Sequence, residues 1–310
     1  MAKETRKWDY SFDQATGVFY KVDVLTGEII DEGTYKPVFN RDRIITAEQQ
    51  EAWDNYKKKQ EQKAKRRDIS KKNGGHYFVP RLQVFPDLKP QTATRLIYLM
   101  TYADYSEHGG RLRRTLKTVM HKDDLPNVLG LSKDAVKDFI EEVCPAYMEV
   151  AEDGTITIGE KAYHRGKVPS GRSYHRFYDH WVRSLYIATP KTKHKHLGYL
   201  FQMLPYISIE FNTLCFNPEE TESRKIEYMR FGEFCDKIDF DKSHMSRLLK
   251  IYRDLRFEVK DESGTYTERF VSIVHDGVDH GNAKVFVNPR ILYDGAHPEQ
   301  VELLAGFSKD

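Results

Sequence analysis

The chain has little cysteine and no pattern to the cysteine it has. Cys144, Cys215 and Cys235 are the whole complement among 310 residues. They are odd in number and form no CxxC pair, which argues against a disulfide framework or a zinc site and for reduced core thiols. Long hydrophobic runs are missing as well: none approaches the ~18–20 residues that cross a bilayer. An excess of one charge is also lacking, since 49 Lys and Arg face 47 Asp and Glu for a net charge of +2. Overall charge therefore gives no ground for nucleic-acid binding. No GxxxxGK[ST] loop occurs, so ATP hydrolysis by that device is unsupported. The charged opening Met1-Ala2-Lys3-Glu4-Thr5-Arg6-Lys7 has no apolar stretch behind it, and the expectation is a cytoplasmic protein with no membrane partner.

What is present is an ordinary globular composition, 39% hydrophobic and 31% charged, with length for two cores. The positive charge is unevenly placed. Lys57, Lys58, Lys59, Lys63, Lys65, Arg66, Arg67, Lys71 and Lys72 stand against only Glu61 and Asp68. Such a block can displace phosphate counterions without reading sequence, or it can be a solvated helical linker. Upstream, Phe19-Tyr20-Lys21-Val22-Asp23 and Glu28-Ile29-Ile30 flank Leu25-Thr26-Gly27, which predicts a hairpin. Thr46-Ala47-Glu48-Gln49 has the capping-box spacing and predicts a helix that runs through the basic block and ends before Asn73-Gly74-Gly75.

From Gly75 onward the chain repeats itself. Leu96, Tyr98 and Leu99 fall on Leu197, Tyr199 and Leu200. The offset then grows, which places an insertion in the second unit, and Leu125, Leu129 and Leu131 match Phe234, Ile238 and Phe240. Ser132 matches Asp241, each an N-cap candidate. Behind them Val136, Phe139, Ile140 and Val143 match Met245, Leu248, Leu249 and Tyr252, one apolar helix face in each unit. A short helix, a turn, an N-cap and a striped second helix predict a helix-turn-helix, twice. Strand signals follow both: Tyr147-Met148-Glu149-Val150 and Thr155-Ile156-Thr157-Ile158 around Glu152-Asp153-Gly154, then Phe257-Glu258-Val259-Lys260 and residues 269–274 around Glu262-Ser263-Gly264, with a further strand at Lys284-Val285-Phe286-Val287. The expected architecture is α+β, mainly α: two tandem winged helix-turn-helix domains, 76–170 and 171–310, behind an N-terminal hairpin and basic helical arm, 1–75.

The second helix of such a motif enters the major groove. In the first unit it offers Lys133, Asp134, Lys137, Asp138, Glu141 and Glu142 outward, a net negative set. In the second it offers Lys242, Ser243, His244, Ser246, Arg247, Lys250, Arg253 and Arg256. Asp138 becomes Arg247 and Glu141 becomes Lys250. DNA repels the first set and attracts the second. Ser243, His244, Ser246 and Arg247 are thus assigned to base edges, Lys250 and Arg253, with Lys63, Lys65, Arg66 and Arg67 of the arm, to phosphate, and Lys242 to the same DNA-binding face. The first unit is left to a partner or to its basic flank Arg111, Arg113, Arg114 and Lys117. The stretch from Tyr163-His164-Arg165-Gly166-Lys167 to Arg172-Ser173-Tyr174-His175-Arg176 is a further candidate for tracking a backbone.

Enzymatic readings find little support. His194-Lys195-His196 has a metal-pair spacing but a lysine at its centre and no carboxylate strand nearby, and it reads as a solvated helix start. His180-Trp181-Val182-Arg183 fits an HxxR element without a nucleophile context. Asp236, Asp239 and Asp241 are better read as turn and capping residues. No catalysis, metal or cofactor is expected.

Residues 231–295, ending in Val285-Phe286-Val287-Asn288-Pro289-Arg290 and Tyr293-Asp294-Gly295, resemble the tandem winged-helix replication initiators and regulators of phages and plasmids of Gram-positive bacteria. Leu25-Thr26-Gly27-Glu28-Ile29-Ile30 looks like their N-terminal leader, and the resemblance spans 19–30 and 76–295. The acidic first recognition helix and the long basic arm depart from the family pattern. The resemblance implies sequence-specific binding of double-stranded DNA, for replication initiation or transcription regulation, with recruitment of host replication or transcription proteins. The alternative is an adaptor that docks on host polymerase or replisome proteins and holds DNA loosely through its arm. A homodimer and a single chain reading two half-sites are both compatible with either.

Overall fold

The computed structural model describes residues 8–13, 18–31, 35–38, 43–81, 85, 87–105, 110–166, 173–261, 264–274, 283–295, 301 and 307. The fold is mixed α+β, mainly helical, with small antiparallel sheets. Two compact units divide it, Met1–Lys65 and Arg66–Asp310.

In the first unit β1 (Trp8–Asp13), β2 (Val18–Asp23) and β3 (Ile29–Asp31) form an antiparallel meander. The predicted hairpin is β2–β3. Its turn is held by the Asp23 carboxylate, which accepts from the backbone N–H groups of Leu25 (2.7 Å) and Thr26 (3.0 Å). Strand β4 (Tyr35–Val38) pairs with β5 (Arg43–Thr46). Helix α1 (Ala47–Lys72) starts and stops where its signals predicted. At 26 residues it is about 39 Å long, from a rise of 1.5 Å per residue. It has no apolar face, and its turns from Arg66 onward belong to the second unit.

The second unit opens with β6 (His76–Pro80) and α2 (Pro90–Met100), whose buried face is Leu96, Ile97, Leu99 and Met100. Strand β7 (Gly110–Arg111) follows, then α3 (Leu125–Leu129) and α4 (Lys133–Val143). Strands β8 (Met148–Val150) and β9 (Ile156–Ile158) close a sheet of order β7-β9-β8. Gly130 sits in the left-handed region between α3 and α4 (φ +63), where a Cβ is disfavoured, and Ser132 caps α4 by accepting from Ala135 N–H. Val136, Phe139 and Val143 are buried, as their spacing required.

The pattern then recurs. Strand β10 (Tyr174–Tyr178) leads into α5 (Asp179–Ala188) and α6 (His194–Phe201), followed by α7 (Phe231–Lys237) and α8 (Met245–Asp254). Strands β11 (Arg256–Asp261), β12 (Gly264–Arg269), β13 (Val271–Val274) and β14 (Lys284–Val287) complete it. Equivalent backbone bonds tie the copies residue by residue. Leu112 N donates to Ile156 O (2.9 Å) as Leu214 N does to Val285 O (3.0 Å), and Met120 N to Leu112 O (2.9 Å) as Met229 N to Leu214 O (3.0 Å). Leu131 N to Pro126 O corresponds to Phe240 N to Cys235 O, both 2.9 Å. Gly159 N to Tyr147 O corresponds to Asn288 N to Phe270 O, again both 2.9 Å. The second copy's insertion therefore lies in residues 216–228.

These equivalences relocate one predicted element. The strand expected at 269–274 begins at Val271 as β13 and pairs with β14, not with β11; β11 pairs instead with β12, which lies before it and ends at Arg269. Since Phe270 takes the place of Tyr147, β13–β14 is the counterpart of β8–β9. The β11–β12 hairpin is an addition, and it packs Phe257 against Trp181 of α5 at 5.4 Å. The turn Glu262-Ser263 lies outside the described residues.

The copies meet along β6 and β10, which pair antiparallel with Phe78 opposite Arg176. On its other edge β6 bridges to His164 and β10 to Leu292. Helices α2 and α6 pack so closely that a Cβ on Gly198 would stand 1.9 Å from Pro90 O. One continuous apolar cluster fills both copies, each large buried side chain contributing roughly 1.5–3 kcal/mol.

The segment expected to track a backbone is part of this junction, a correction with a clear cause. Arg165 is buried and grips Asp179 bidentately (2.7 and 2.8 Å). His175, fully buried, bridges the Asp294 carboxylate (2.7 Å) and Leu204 O (2.6 Å). Burial raises the Asp179 carboxyl above its ordinary range against the pull of Arg165. Asp294 lies below its ordinary range: burial opposes this, and the charge and hydrogen bonds of His175 and Arg176 outweigh it. Basic residues here neutralise interior carboxylates. Lys167 and Arg172 lie outside the described residues.

Candidate nucleic-acid interface

Helix α8 is entered through one 3-10 turn, Lys242–His244, capped by Asp241, whose side chain accepts from Ser243 N–H at 2.9 Å. Leu248, Leu249, Ile251 and Tyr252 turn inward, and the Tyr252 hydroxyl donates to His196 O (3.2 Å), docking α8 on α6. The helical period then forces Ser243, Ser246, Arg247 and Lys250 onto the opposite face. All of them are exposed, with Lys242, His244 and Arg253 beside them.

Acidic residues near this face already serve the backbone or a neighbour. Asp241 is the cap, and Glu233 accepts from Arg230 N–H (2.7 Å) at the start of α7. Asp236 pairs with Lys242 (2.7 Å), so that lysine is locally neutralised. His244 stands 3.8 Å from Asp241. Arg247 and Lys250 have no ion pair or hydrogen bond among the described residues. The three aspartates thus sit as turn, cap and ion-pair residues, Asp239 adopting φ +50 at the place of Gly130.

Two lysines join the face that the sequence reading passed over. The His196 imidazole is held below its ordinary value by burial and then by the charges of Arg247 and Lys195; the Lys193 carbonyl opposes this, and the Lys193 charge adds a smaller push in the same direction. That places positive charge from the start of α6 beside α8. The alternation Lys191, Lys193, Lys195 was the available signal. The solvated helix start expected at His194-Lys195-His196 is only partly so: His194 is 1% exposed and bonded to Thr189 O (3.1 Å). Among the described residues no group of His, Cys, Asp or Glu is placed to hold a metal ion.

The first copy presents a different face. Lys133, Asp134, Lys137, Asp138 and Glu141 are exposed, and Lys137 lies 3.8 Å from Glu141. Glu142, expected outward, is turned in: it accepts from Lys89 N–H and from the Thr92 hydroxyl (2.9 Å), capping α2 where the helix dipole favours an anion. The basic flank is largely neutralised, Arg113 by Asp104 (2.6 Å) and Arg114 by Asp124 (2.9 Å), which leaves Arg111 and Lys117 exposed.

On α1, Lys63, Lys65 and Arg67 are exposed, and Arg66 is half-buried with its Nε donating to Gly295 O (3.2 Å). Arg183 of the HxxR match donates to Thr101 and covers the Tyr102 ring at 4.2 Å, while His180 is exposed. The cysteines are all free, and burial pushes the Cys215 and Cys235 thiols up to about 11. No described helix is long and apolar enough to cross a membrane. Comparison of the chain with known protein families, with curated proteins and with solved structures gave no match.

Proposed function

We propose that the chain binds double-stranded DNA in a sequence-specific manner, as a tandem winged-helix protein of the phage or plasmid type, and that it acts in replication initiation or transcription regulation. The observation that carries this reading is the face of α8. Ser243, Ser246, Arg247 and Lys250 project from one side of a helix whose other side is core, and Arg247 and Lys250 have no ion pair or hydrogen bond among the described residues. A helix of that shape fits a major groove, where arginine can hold a guanine edge bidentately and serine accepts either role. The order helix, strand, two helices and hairpin, with sheet order β7-β9-β8, supports a winged helix in the first copy. The equivalent hydrogen bonds extend it to the second. Lys193 and Lys195 add phosphate contacts, and Lys63, Lys65 and Arg67 supply a sequence-independent share.

A binding titration over a range of salt, on a selected duplex and on random duplex, tests this. Arg247→Ala should narrow the gap between the two duplexes by about tenfold. Replacing Lys63, Lys65 and Arg67 with alanine should weaken both equally and flatten the salt slope. Equal affinity of the intact chain for every duplex would reject sequence-specific reading and favour the adaptor, in which the first copy docks on a host protein.

A further inference from the structure

Helix α1 carries two large aromatic side chains that belong to no core. Trp53 is 53% exposed and Tyr56 52%, whereas Trp181 of α5 is buried. Their rings stand one helical turn apart, centres separated by 5.7 Å and planes 20° from parallel. That is looser than Tyr98 on Tyr186, whose ring centres are 3.8 Å apart, and it leaves about half of each side chain open to solvent. Lys57 completes the group, its ammonium 5.7 Å from the centre of the Trp53 ring. Trp and Tyr exposed side by side mark a surface that has a partner, since water is a poor medium for either ring.

The helical period gives this surface its charge. At 3.6 residues per turn, Trp53, Tyr56, Lys57, Gln60 and Lys63 share one face of α1, and all five are exposed. Asp54 and Glu61 fall to one side of that face, Asp54 accepting from Gln50 Nε2 (3.0 Å), and Glu48 and Glu51 fall behind it. Lys57 and Lys63 have no ion pair or hydrogen bond among the described residues. The face thus sets flat rings beside unopposed positive charge. A duplex hides its base faces inside its own stack and would leave the rings unused. A bilayer needs an apolar helix face, which α1 lacks. Unpaired nucleotides match both features, with a base face for each ring and a phosphate for each lysine.

We propose that this face of α1 binds single-stranded nucleic acid, with bases stacked on Trp53 and Tyr56 and phosphates held by Lys57 and Lys63. From Trp53 to Lys63 the helix rises about 15 Å, the length of roughly four nucleotides at ~3.4 Å each. Lys57 leaves the Trp53 ring for a phosphate as a base takes its place. Every base has a flat face, so the platform tolerates any sequence. The proposal rests on α1 alone and is independent of the role of α8. Together the two would give the chain one surface for a duplex and another for the strand that an opened duplex releases.

Fluorescence anisotropy on the full chain tests this with labelled oligothymidylate, oligouridylate, an abasic deoxyribose-phosphate strand and a random duplex, all of equal length. The abasic strand keeps the phosphates and removes the base faces, and it should bind about tenfold more weakly than oligothymidylate. W53A/Y56A should lose about tenfold on oligothymidylate and leave the abasic strand and the duplex unchanged, while W53F/Y56F should keep most of the binding. Both positions are exposed and alanine suits a helix, so the variant should fold. K57A/K63A should lower the salt slope on single strands by about 0.7 per lysine. R247D/K250E should leave the gap between oligothymidylate and the abasic strand as it was, so this proposal and the reading of α8 fail separately. Oligothymidylate and oligouridylate distinguish DNA from RNA, and ring-dependent binding of either supports the proposal. It is overturned if the abasic strand binds as tightly as oligothymidylate, or if W53A/Y56A loses nothing or loses equally on the duplex. Ring-dependent binding to anionic lipid vesicles in place of oligonucleotides overturns it too.

Discussion

The two copies in the second unit share a backbone and differ in what their last helix shows to solvent. In α4 the exposed charged positions mix both signs with a negative excess, and Lys137 and Glu141 face each other. In α8 the equivalent places hold Ser246, Arg247 and Lys250, while the nearby acids are spent on caps and on Lys242. Both helices keep the same buried stripe, because a slip there would cost core burial of roughly 1.5–3 kcal/mol per side chain. Core packing constrains the inward face and leaves the outward face free to differ.

Four changes break or sharpen that comparison. The largest effect is expected at the junction the copies share: Asp179→Ala leaves the Arg165 guanidinium buried and unpaired and should cost about 3–5 kcal/mol, read as a drop in the denaturation midpoint. Next, Gly198→Ala drives a Cβ into Pro90 O. It should cost about 2–3 kcal/mol by forcing α2 and α6 apart, whereas exchanging exposed Ile187 for alanine should change little. Third, exchanging the outward charges tests which copy meets DNA. R247D/K250E should lose about a hundredfold in duplex affinity at moderate salt, and D138R/E141K should lose nothing; equal losses from both pairs would mean that both copies engage. The smallest effect lies in the turn, where Asp239 holds the left-handed place that Gly130 fills in the first copy. Asp239→Gly should raise stability by about 0.5 kcal/mol, while Gly130→Asp should lower it.

Much of this was legible in the sequence because periodicity reports burial. The stripes Val136, Phe139, Val143 and Leu248, Leu249, Tyr252 came out as core, and Ser132 and Asp241 as caps. The β2–β3 turn and both ends of α1 were likewise marked by local chemistry that needs no tertiary partner. What could not be read locally was pairing at a distance. β6 and β10 are short and find each other across most of the first copy, and residues 256–274 carry strand character throughout without saying which strand folds back on which. Charge was misread for the same reason. Arg165, Arg176 and His175 look like a basic surface until Asp179 and Asp294 arrive from elsewhere in the chain, and Glu142 looks outward until the start of α2 comes to meet it.

The antiparallel union of β6 with β10 has a consequence for any shortened form of the chain. Each strand is bordered on one side by its own copy's closing segment and on the other by the opposite copy. Cut the chain between the copies, and each half keeps one satisfied border and exposes a row of unmatched backbone donors and acceptors on the other. The nearest substitute for the lost neighbour is the same strand of an identical fragment, since the missing partner is the strand that stands at the corresponding place in the other copy. Isolated halves should therefore re-create the junction as two-fold homodimers, and the intact protein is, in this sense, a dimer that a single polypeptide has already closed.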